Sequence, residues 1–466
     1  MSRTTQFLGN EPATSAGIVW SGGRDECRIA SASCRLSSTR VTDSSSPGTD
    51  PRISWQRNYY AVWPSLLLVS MGLMSILPSL PLYIEERFGI VDPQRLRLWT
   101  GAIWAGAPLA AACIGPLWGA LGDRFGRKPM ALRALLGIAL TTGLMPLADS
   151  PEALLGIRIL QGFLAGYVAP SMALVTANAP PDRQARSLGS LQVALAAGLL
   201  AGPWVGAEVV RITGQRENVF YLTSALALLA SLPVMLYARD DRQGLREHRK
   251  KSASIAAEFG RLLSARLLWA LILCIFLMRF GQGIVEAYIA LWVRELGPWM
   301  MLAASAGDVV TALERSIALP FTILAVAQIL MTTSWGRLAD RHGPLRCLAI
   351  LALGLGTVLA LTGMVHDIES YLLLRCLAAL FMAGSMTLAY SAIAKRVHSD
   401  QRSLAYACAQ SCIQFGIALG PLFAGFASRW TGLSGLYGIA SFFLVAVGLV
   451  MFGLRRRTLL LGQNMG

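Results

Sequence analysis

The sequence predicts an all-α membrane protein in which twelve transmembrane helices form two related six-helix bundles. Three observations carry this prediction: the composition, the spacing of apolar runs and an internal repeat. Of the 466 residues, 54% are hydrophobic and only 14% are charged, whereas an average soluble domain carries roughly 25% charged residues. A soluble protein of this composition would expose more apolar surface than one core can bury, and a lipid bilayer removes that difficulty because it is itself apolar.

Apolar runs of roughly 20 residues, the length that crosses a bilayer as a helix, follow one another along the chain. Six lie before a polar linker and six after it. We predict spans at 60–84, 99–121, 129–148, 152–178, 188–210, 219–238, 267–292, 318–336, 345–365, 370–394, 403–427 and 433–454. The predicted domains are a disordered cytosolic tail over 1–57, a bundle over 58–238, a cytosolic linker over 239–266, a bundle over 267–455 and a cytosolic tail over 456–466.

The distribution of Lys and Arg predicts the orientation. With the N-terminus inside, the inner loops, the linker and the C-terminal tail hold 23 basic residues, against 8 in the outer loops. This bias is typical of cytosolic segments. We therefore predict a multi-pass protein of the cytoplasmic (inner) membrane with both termini cytosolic. The net charge of +15 is spread over short segments between apolar runs rather than gathered on one polar domain, so we predict no nucleic-acid partner.

An internal repeat divides the chain into two halves. Residues 198–203, "GLLAGP", recur as residues 416–421, "GIALGP", at an offset of 218. Five further positions recur at an offset of 217: Gly119, Asp123, Arg124, Gly126 and Arg158 return as Gly336, Asp340, Arg341, Gly343 and Arg375. Because six spans return the chain to the same side of the membrane, the halves are parallel repeats. Such repeats are typical of transporters with a substrate cavity between two bundles.

A dense cluster of charge interrupts the apolar chain at "GALGDRFGRK", residues 119–128. A purely topogenic role accounts for Arg127 and Lys128 but not for Asp123 or for the repeat. The stretch resembles the loop signature of the major facilitator superfamily, in which this loop is held against the other bundle while the transporter faces outward. The resemblance implies a gating loop formed by Gly119, Asp123, Arg124, Gly126, Arg127 and Lys128, with Asp340 and Arg341 in the second copy.

A glycine-rich run, "GLLAGPWVGA", lies in the fifth predicted span. Gly198, Gly202 and Gly206 are spaced by four residues, so they share one helical face on which a neighbouring helix can approach closely. Pro203 is expected to bend the span. Ordinary tight packing would explain this pattern. The run also resembles the signature of proton-driven exporters within the superfamily, with Ala207 in place of its last glycine, and this resemblance favours export over uptake.

The fourth predicted span contains Arg158 and Gln161 in "RILQGFLAG". A charge several residues into the bilayer is costly and usually functional. The alternative is an arginine that extends to the interface near Glu152. The run resembles an Arg-x-x-x-Gln-Gly element that is linked to proton coupling in the family, although the Arg–Gln spacing is one residue shorter in this sequence.

The seventh predicted span places Arg279, Gln282 and Glu286 at positions i, i+3 and i+7, on one helical face. Glu286 is the clearest carboxylate well inside a predicted span. A packed ion pair that fixes the bundle is the structural alternative. The functional interpretation is that Glu286 carries a proton, or that Arg279 meets an anionic group of a substrate.

The resemblance covers about residues 58–455 and implies the major facilitator fold. It favours a proton-coupled secondary transporter, similar to the drug:proton antiporters, that exports small organic molecules by alternating access. An exporter of a specific anionic metabolite, such as a carboxylate siderophore bound by Arg279 and Arg158, remains an alternative. A non-transporting membrane sensor on the same fold is a remote one.

Enzymatic and cofactor-dependent chemistry is not indicated by the sequence. It contains no phosphate-binding loop, no nucleophile motif and no His or Cys pattern with metal-ligand spacing. We therefore predict a protein that is not an enzyme, with no metal and no cofactor, driven by the proton gradient. Its predicted partners are a small-molecule substrate, protons and the lipid bilayer, and it is expected to function as a monomer.

Overall fold

The computed structural model describes residues 55–176, 179–240, 266–299, 309–395, 397 and 402–463, and every regular element in these ranges is helical. The first half, residues 55–240, contains α1 (Trp55–Phe88), α2 (Pro93–Phe125), α3 (Arg127–Leu144), a short 3-10 helix (Met145–Leu147), α4 (Pro151–Leu164), α5 (Val168–Thr176), α6 (Pro181–Thr213) and α7 (Glu217–Tyr237). The second half, residues 266–463, contains α8 (Arg266–Glu286), α9 (Ile289–Leu296), α10 (Val309–His342), α11 (Pro344–Thr362), α12 (Ile368–Met382), α13 (Ser385–Ala394) and α14 (Arg402–Gln463).

Eleven helical segments within the described ranges are long and apolar enough to cross a membrane. One of them, Cys408–Gly453, has 46 residues, and at 1.5 Å per residue it is roughly twice as long as the ~30 Å hydrocarbon core requires. Gly432 divides α14 with a φ of 67°, in the left-handed region that ends helices. The segment therefore supplies two spans, which gives twelve in total. The predicted all-α membrane fold is confirmed.

Three of the predicted continuous spans are in fact broken helices. The fourth span is divided between α4 and α5 at Gly166, which has a φ of 102°. The seventh is divided between α8 and α9 at Tyr288, and the tenth is divided between α12 and α13. At the second of these breaks the Tyr288 hydroxyl lies 2.9 Å from the carbonyl oxygens of both Arg97 and Pro421, either of which can accept its hydrogen bond. The break thus lies where the seventh span contacts α2 and α14, which hydropathy alone does not indicate.

The flanking segments also differ from the predicted boundaries. Helix α1 begins at Trp55, inside the predicted tail, and α14 continues to Gln463, beyond the predicted end of the second bundle. Most of the predicted linker, residues 241–265, lies outside the described residues, as do residues 1–54 of the predicted tail.

Several helices begin at a side chain that caps them. Asp92 accepts hydrogen bonds from the backbone N–H groups of Gln94 and Arg95 at the start of α2. Asp367 accepts one from the Ser370 N–H at the start of α12, and this bond holds the pKa of the Asp367 carboxyl below its ordinary value. Such caps satisfy backbone donors that have no partner within the helix.

The internal repeat is visible in matching arginine contacts. Arg158 Nε donates to the carbonyl oxygen of Ile103 at 3.2 Å. Arg375 Nε donates to the carbonyl oxygen of Pro320 at the same distance. Both members of the second bond lie 217 residues after those of the first. The sequence repeat therefore corresponds to a repeated arrangement in space.

Two tryptophans show the same correspondence beside the breaks in the fourth and tenth spans. Trp118 Nε1 donates to the carbonyl oxygen of Phe163 at 2.7 Å, and Trp335 Nε1 donates to that of Leu380 at 2.8 Å. Each carbonyl lies near the end of a helix that stops at the break. The indole N–H thus takes the place of the missing helical donor in both halves.

Candidate functional site

Two adjoining cavities lie between the halves of the protein and share Glu286. The larger, of about 400 Å³, also contacts Arg158 and Gln161 of the first half. The smaller, of about 190 Å³, contacts Arg279 and Arg375 of the second half. Four residues line both cavities: Met74, Leu77, Trp104 and Glu286. The predicted charged positions of the fourth and seventh spans therefore meet at one central site.

Arg158 and Gln161 form a buried network in the first half. Arg158 is 6% exposed and Gln161 is 3% exposed. Arg158 Nη1 donates to Gln161 Oε1 at 2.6 Å, and Gln161 Nε2 donates to Thr142 Oγ1 at 2.9 Å. Arg158 therefore points into the protein rather than extending to the interface near Glu152. Its guanidinium is held rigidly, as a group that lines a binding cavity requires.

Arg279 and Arg375 bring positive charge to the second half of the site. Arg279 Nη1 donates to Gln282 Oε1 at 2.8 Å, whereas Arg279 Nε and Gln282 Nε2 have no hydrogen-bond partner among the described residues. Arg375 is only 4% exposed, and its Nη2 also has none. Unpaired donors in a buried cavity are costly, so the site is prepared for an additional acceptor.

Glu286 is the acidic group of this central site. Within the described part of the chain, neither of its oxygens lies within the 4.0 Å of a basic nitrogen that defines an ion pair. It lines both cavities with Arg279 and Arg375 close by. The predicted face of Arg279, Gln282 and Glu286 thus holds one hydrogen-bonded pair and one carboxylate that stays available to a ligand or a proton.

Ion pairs connect the halves at the end of the assembly where α1 meets α2, which we name the distal end. The opposite end, where α2 meets α3, is the proximal end. Four pairs among the described residues cross between the halves at the distal end: Arg97–Glu295, Arg216–Glu314, Arg294–Glu85 and Arg315–Glu208. We name this set the distal lock. It closes the distal end in this conformation.

Glu314 is the buried centre of the distal lock, at 2% exposure. One carboxylate oxygen accepts from Arg216 at 2.8 Å, and the other accepts from Ser79 Oγ at 3.0 Å. Arg216 also pairs with Glu86. Burial would lower the pKa of the Arg216 guanidinium, but the charges of Glu314 and Glu86 outweigh it, and the pKa is raised. The halves are thus joined by a desolvated pair.

Glu314 was not among the residues predicted from sequence. The eighth span was predicted to begin at residue 318, whereas α10 begins at Val309 and therefore carries Glu314 and Arg315 in its first two turns. Two charged residues lower the local hydropathy and move a predicted boundary inward. Several other spans also carry glutamates and arginines at their ends. Because such charges can neutralise one another where spans meet, this pattern could have indicated that Glu314 and Arg315 lie within a helix.

The predicted gating loop is mostly helix. Helix α2 continues to Phe125, so Gly119 and Gly122 lie within it, and Gly126, with a φ of 104°, makes the turn into α3. Gly343 makes the equivalent turn in the second half with a φ of 85°. A left-handed turn of this kind favours glycine because other residues meet steric strain there. This accounts for the recurrence of that glycine.

Among the described residues, the hydrogen bonds of the basic residues in the first turn of α3 all go to the first half. Arg127 Nη1 donates to the carbonyl oxygen of Ala173 at 3.0 Å. Lys128 donates from its backbone N–H to Asp240 at 3.0 Å and from Nζ to the carbonyl oxygen of Met235 at 2.8 Å. The exposed members of the predicted loop are Arg124, Asp340 and Arg341, and the side chain of Asp123 lies outside what the structure describes.

The glycines of the fifth span lie at a close helix contact, as their spacing predicted. A Cβ atom on Gly202 would lie 2.6 Å from the Met71 carbonyl oxygen of α1, and one on Gly206 would lie 2.5 Å from that of Ser75. Gly198 meets the same helix at Ser70. Pro203 follows within this contact, and α6 continues as one helix through it.

The second copy of this motif makes the corresponding contact. A Cβ atom on Gly416 would lie 2.9 Å from the Phe276 carbonyl oxygen of α8, and one on Gly420 would lie 2.5 Å from that of Phe280. The pair α1–α6 in the first half therefore corresponds to α8–α14 in the second. Close packing explains the glycines in both halves.

We expect Gly202→Leu to destabilise the protein, because the added side chain meets the backbone of α1 rather than a flexible group. Overpacking of a tight contact costs about 1–3 kcal/mol. The measurement is the melting temperature of the purified protein in detergent. Gly189→Leu is the matched control, because a Cβ atom at Gly189 on the same helix meets nothing within 4 Å. Equal melting temperatures of the two variants would contradict the packing role.

Comparison with known proteins places this geometry in a family. The family model described as Major Facilitator Superfamily matches residues 62–313 and 296–463. The two matches together cover most of both halves. The chain belongs to the Major Facilitator Superfamily. The family membership that the loop and exporter motifs predicted is therefore confirmed.

Curated relatives of this superfamily member are named for multidrug resistance or efflux. The multidrug resistance protein MdtG of Proteus mirabilis is 29% identical over 410 residues, which cover 86% of this chain and 95% of the relative. The multi-drug resistance efflux pump PmrA homolog of Lactococcus lactis is 28% identical over 375 residues, covering 79% and 88%. The relatives are transporters rather than enzymes, in agreement with the prediction.

Solved structures confirm the fold. The nucleoside transporter NupG gives a TM-score of 0.70 at 15% identity, covering 85% of this chain and 98% of that one. A bacterial homolog of the human lysosomal transporter Spinster gives 0.67 at 16% identity, covering 85% and 96%. The chain therefore has the fold of these transporters over the matched residues and is a multi-pass membrane protein.

Proposed function

We propose that this protein is a proton-coupled exporter of small, drug-like organic molecules that works by alternating access in the cytoplasmic membrane. The observation that carries the proposal is the position of Glu286. It lies at the junction of two cavities, between groups of both halves, and has no ion-pair partner in the described structure. A carboxylate inside a membrane span that is free of a fixed partner can exchange a proton as the cavity changes its access.

The dimensions and walls of the site suit a compound of this kind. Cavities of about 400 and 190 Å³ adjoin each other, which is in the range of sites that hold drug-sized ligands. Their shared walls are apolar, from Met74, Leu77 and Trp104, and flexible methionine surfaces accommodate ligands of different shapes. The names of the curated relatives, which refer to multidrug resistance and efflux, also support the proposal of drug efflux.

Alternating access would proceed by exchanging contacts at the two ends. The distal lock is closed in this conformation, while the hydrogen bonds that Arg127 and Lys128 make to described residues at the proximal end stay within their own half. In the opposite conformation the distal lock would open and the gating loop would bind the second half. With the proximal end cytosolic, as the positive charges predict, substrate enters from the cytosol and a proton enters from outside. The proposed unit is a monomer.

The experiment that tests this function uses inside-out membrane vesicles from cells that produce the protein. The vesicle lumen is acidified, and a lumenal pH dye reports protons that leave when a probe is added. The probes are ethidium, chloramphenicol and carboxyfluorescein, which are respectively cationic, neutral and anionic. We expect substrate-dependent proton release, abolished by a protonophore. A protein that is folded in the vesicles but transports a probe without any proton movement would refute the coupling.

A second candidate is an exporter of acidic drug-like compounds. Arg279 and Arg375 present unpartnered donors to the smaller cavity, and guanidinium groups bind carboxylates and phosphates well. An anion bound there would repel an ionised Glu286, so its binding would take up a proton rather than release one. Such a compound would leave down the inside-negative membrane potential. Carboxyfluorescein in the probe panel distinguishes the two candidates. Nothing in the comparisons supports a siderophore as the substrate.

A further inference from the structure

A separate cleft of about 490 Å³ lies at the proximal end, between the first two turns of α1 and the first three turns of α6. It is distinct from the central cavities, with which it shares no lining residue. Its described lining consists of aromatic rings, hydroxyl groups and two arginines, and includes no acidic side chain: Trp55, Gln56, Tyr59, Tyr60, Arg183, Arg186, Ser187 and Ser190.

The two walls of this cleft have different chemistry. Helix α1 contributes the rings of Trp55, Tyr59 and Tyr60, and Tyr60 is 74% exposed. Helix α6 contributes the positive charge of Arg186 together with serine hydroxyl groups. The walls meet at a hydrogen bond between the Tyr59 hydroxyl and Ser190 Oγ, and Trp63 Nε1 donates to the Ser190 carbonyl oxygen at 3.2 Å. The cleft is therefore a built pocket between two helices rather than a flat surface.

The location of the cleft indicates a ligand that belongs to the membrane surface. Trp55 begins one membrane span and Arg186 begins another, so both lie where the hydrocarbon core gives way to the headgroups. Trp and Tyr rings are enriched at that level because one side of each ring is apolar and the other polar. Arginines in pockets between spans at the cytosolic surface bind the anionic headgroups of lipids.

We propose that this cleft binds the phosphate headgroup of an anionic phospholipid. Arg186 holds the phosphate with Arg183 beside it, and the hydroxyl group of Ser187 lies in the same lining. The acyl chains extend along the exposed ring of Tyr60 into the bilayer. The headgroup bridges α1 and α6, which are in contact through Gly198 and the glycines that follow it, and so reinforces that helix pair at its cytosolic end.

The test measures the melting temperature of the purified full-length protein in detergent as phosphatidylglycerol or phosphatidylcholine is added. We expect a saturable rise with phosphatidylglycerol and little change with phosphatidylcholine. Arg186→Gln is expected to weaken the apparent Kd by about fivefold, the effect of one basic residue near an anionic surface, and Arg186→Lys to restore most of it. Arg429→Gln, an exposed arginine of α14, should leave the Kd unchanged.

Two outcomes would overturn the proposal. Glycerol phosphate carries the same headgroup chemistry without acyl chains, and an equal rise in melting temperature with this compound would assign the cleft to a soluble phosphate. Native mass spectrometry that finds phosphatidylglycerol retained equally by the natural protein and by a variant carrying both Arg183→Gln and Arg186→Gln would place the lipid elsewhere. Neither result depends on transport, so they are independent of the proposed function.

Discussion

Glu286→Gln is expected to abolish proton-driven transport and to weaken substrate exchange. Glutamine has nearly the shape of a protonated glutamate but cannot release a proton. In the proposed cycle the substrate binds as Glu286 loses its proton, so the variant is held in the form that binds substrate weakly. In proteoliposomes, the variant should therefore show uptake driven by a pH gradient at the level of empty liposomes, and counterflow only at substrate concentrations above those that the natural protein needs.

Glu369→Gln serves as the matched control for this variant. Glu369 is an exposed carboxylate in the first turn of α12, in the same half of the protein. Both substitutions remove one negative charge, so a general electrostatic effect would appear in both. Counterflow in Glu286→Gln equal to that of the natural protein would mean that substrate binding does not depend on the loss of a proton from Glu286. Retention of gradient-driven uptake would show that another group carries the proton.

The second large effect is expected at the distal lock. Arg216→Gln leaves Glu314 as a buried carboxylate without its charge partner, at 1% side-chain exposure. Breaking such a pair costs about 3 kcal/mol or more, which shifts the conformational equilibrium roughly a hundredfold toward an open distal end. Spin labels at Val91 and Trp430, exposed residues near the distal ends of the first and second halves, would report a longer distance in a cysteine-free background.

The exposed pair of the same lock provides the control. Glu295 is 47% exposed and faces Arg97 at 3.5 Å, and exposed ion pairs contribute about 1 kcal/mol or less. Glu295→Gln should therefore leave the distance distribution nearly unchanged. If both variants open the distal end equally, burial of Glu314 is not what holds the halves together. If neither does, the lock is not the distal closure.

The sequence alone was sufficient for the architecture and for part of the site. Apolar runs predict membrane spans because a helix that crosses lipid needs a continuous apolar surface. The sequence repeat predicts that the chain has two related halves. Arg158, Gln161, Arg279 and Glu286 were found because a charge inside a span is rare and costly. That the four lie around one pair of cavities required the structure, since hydropathy contains no information on which spans face each other.

Other features could not be predicted from the pattern. The breaks in the fourth and tenth spans are accompanied by indole donors from other helices, Trp118 and Trp335, at carbonyl oxygens near the helix ends. Glu314 was missed because its charge lowers hydropathy and places it in a predicted loop, although Arg216 and Ser79 make its burial possible. Arg375 was noted only as a repeat of Arg158, and its place in the cavity follows from the pairing of the halves. In each case the deciding partner is remote in sequence.

The proposed mechanism links substrate and proton through Glu286. The most direct measurement is the number of protons released when the best-transported probe binds to the purified protein in weakly buffered detergent solution. We expect about one proton released per chain in the natural protein, at a pH where Glu286 is protonated before binding, and none in Glu286→Gln. Equal release by both proteins, or probe binding by the natural protein with no release at any pH, would contradict it.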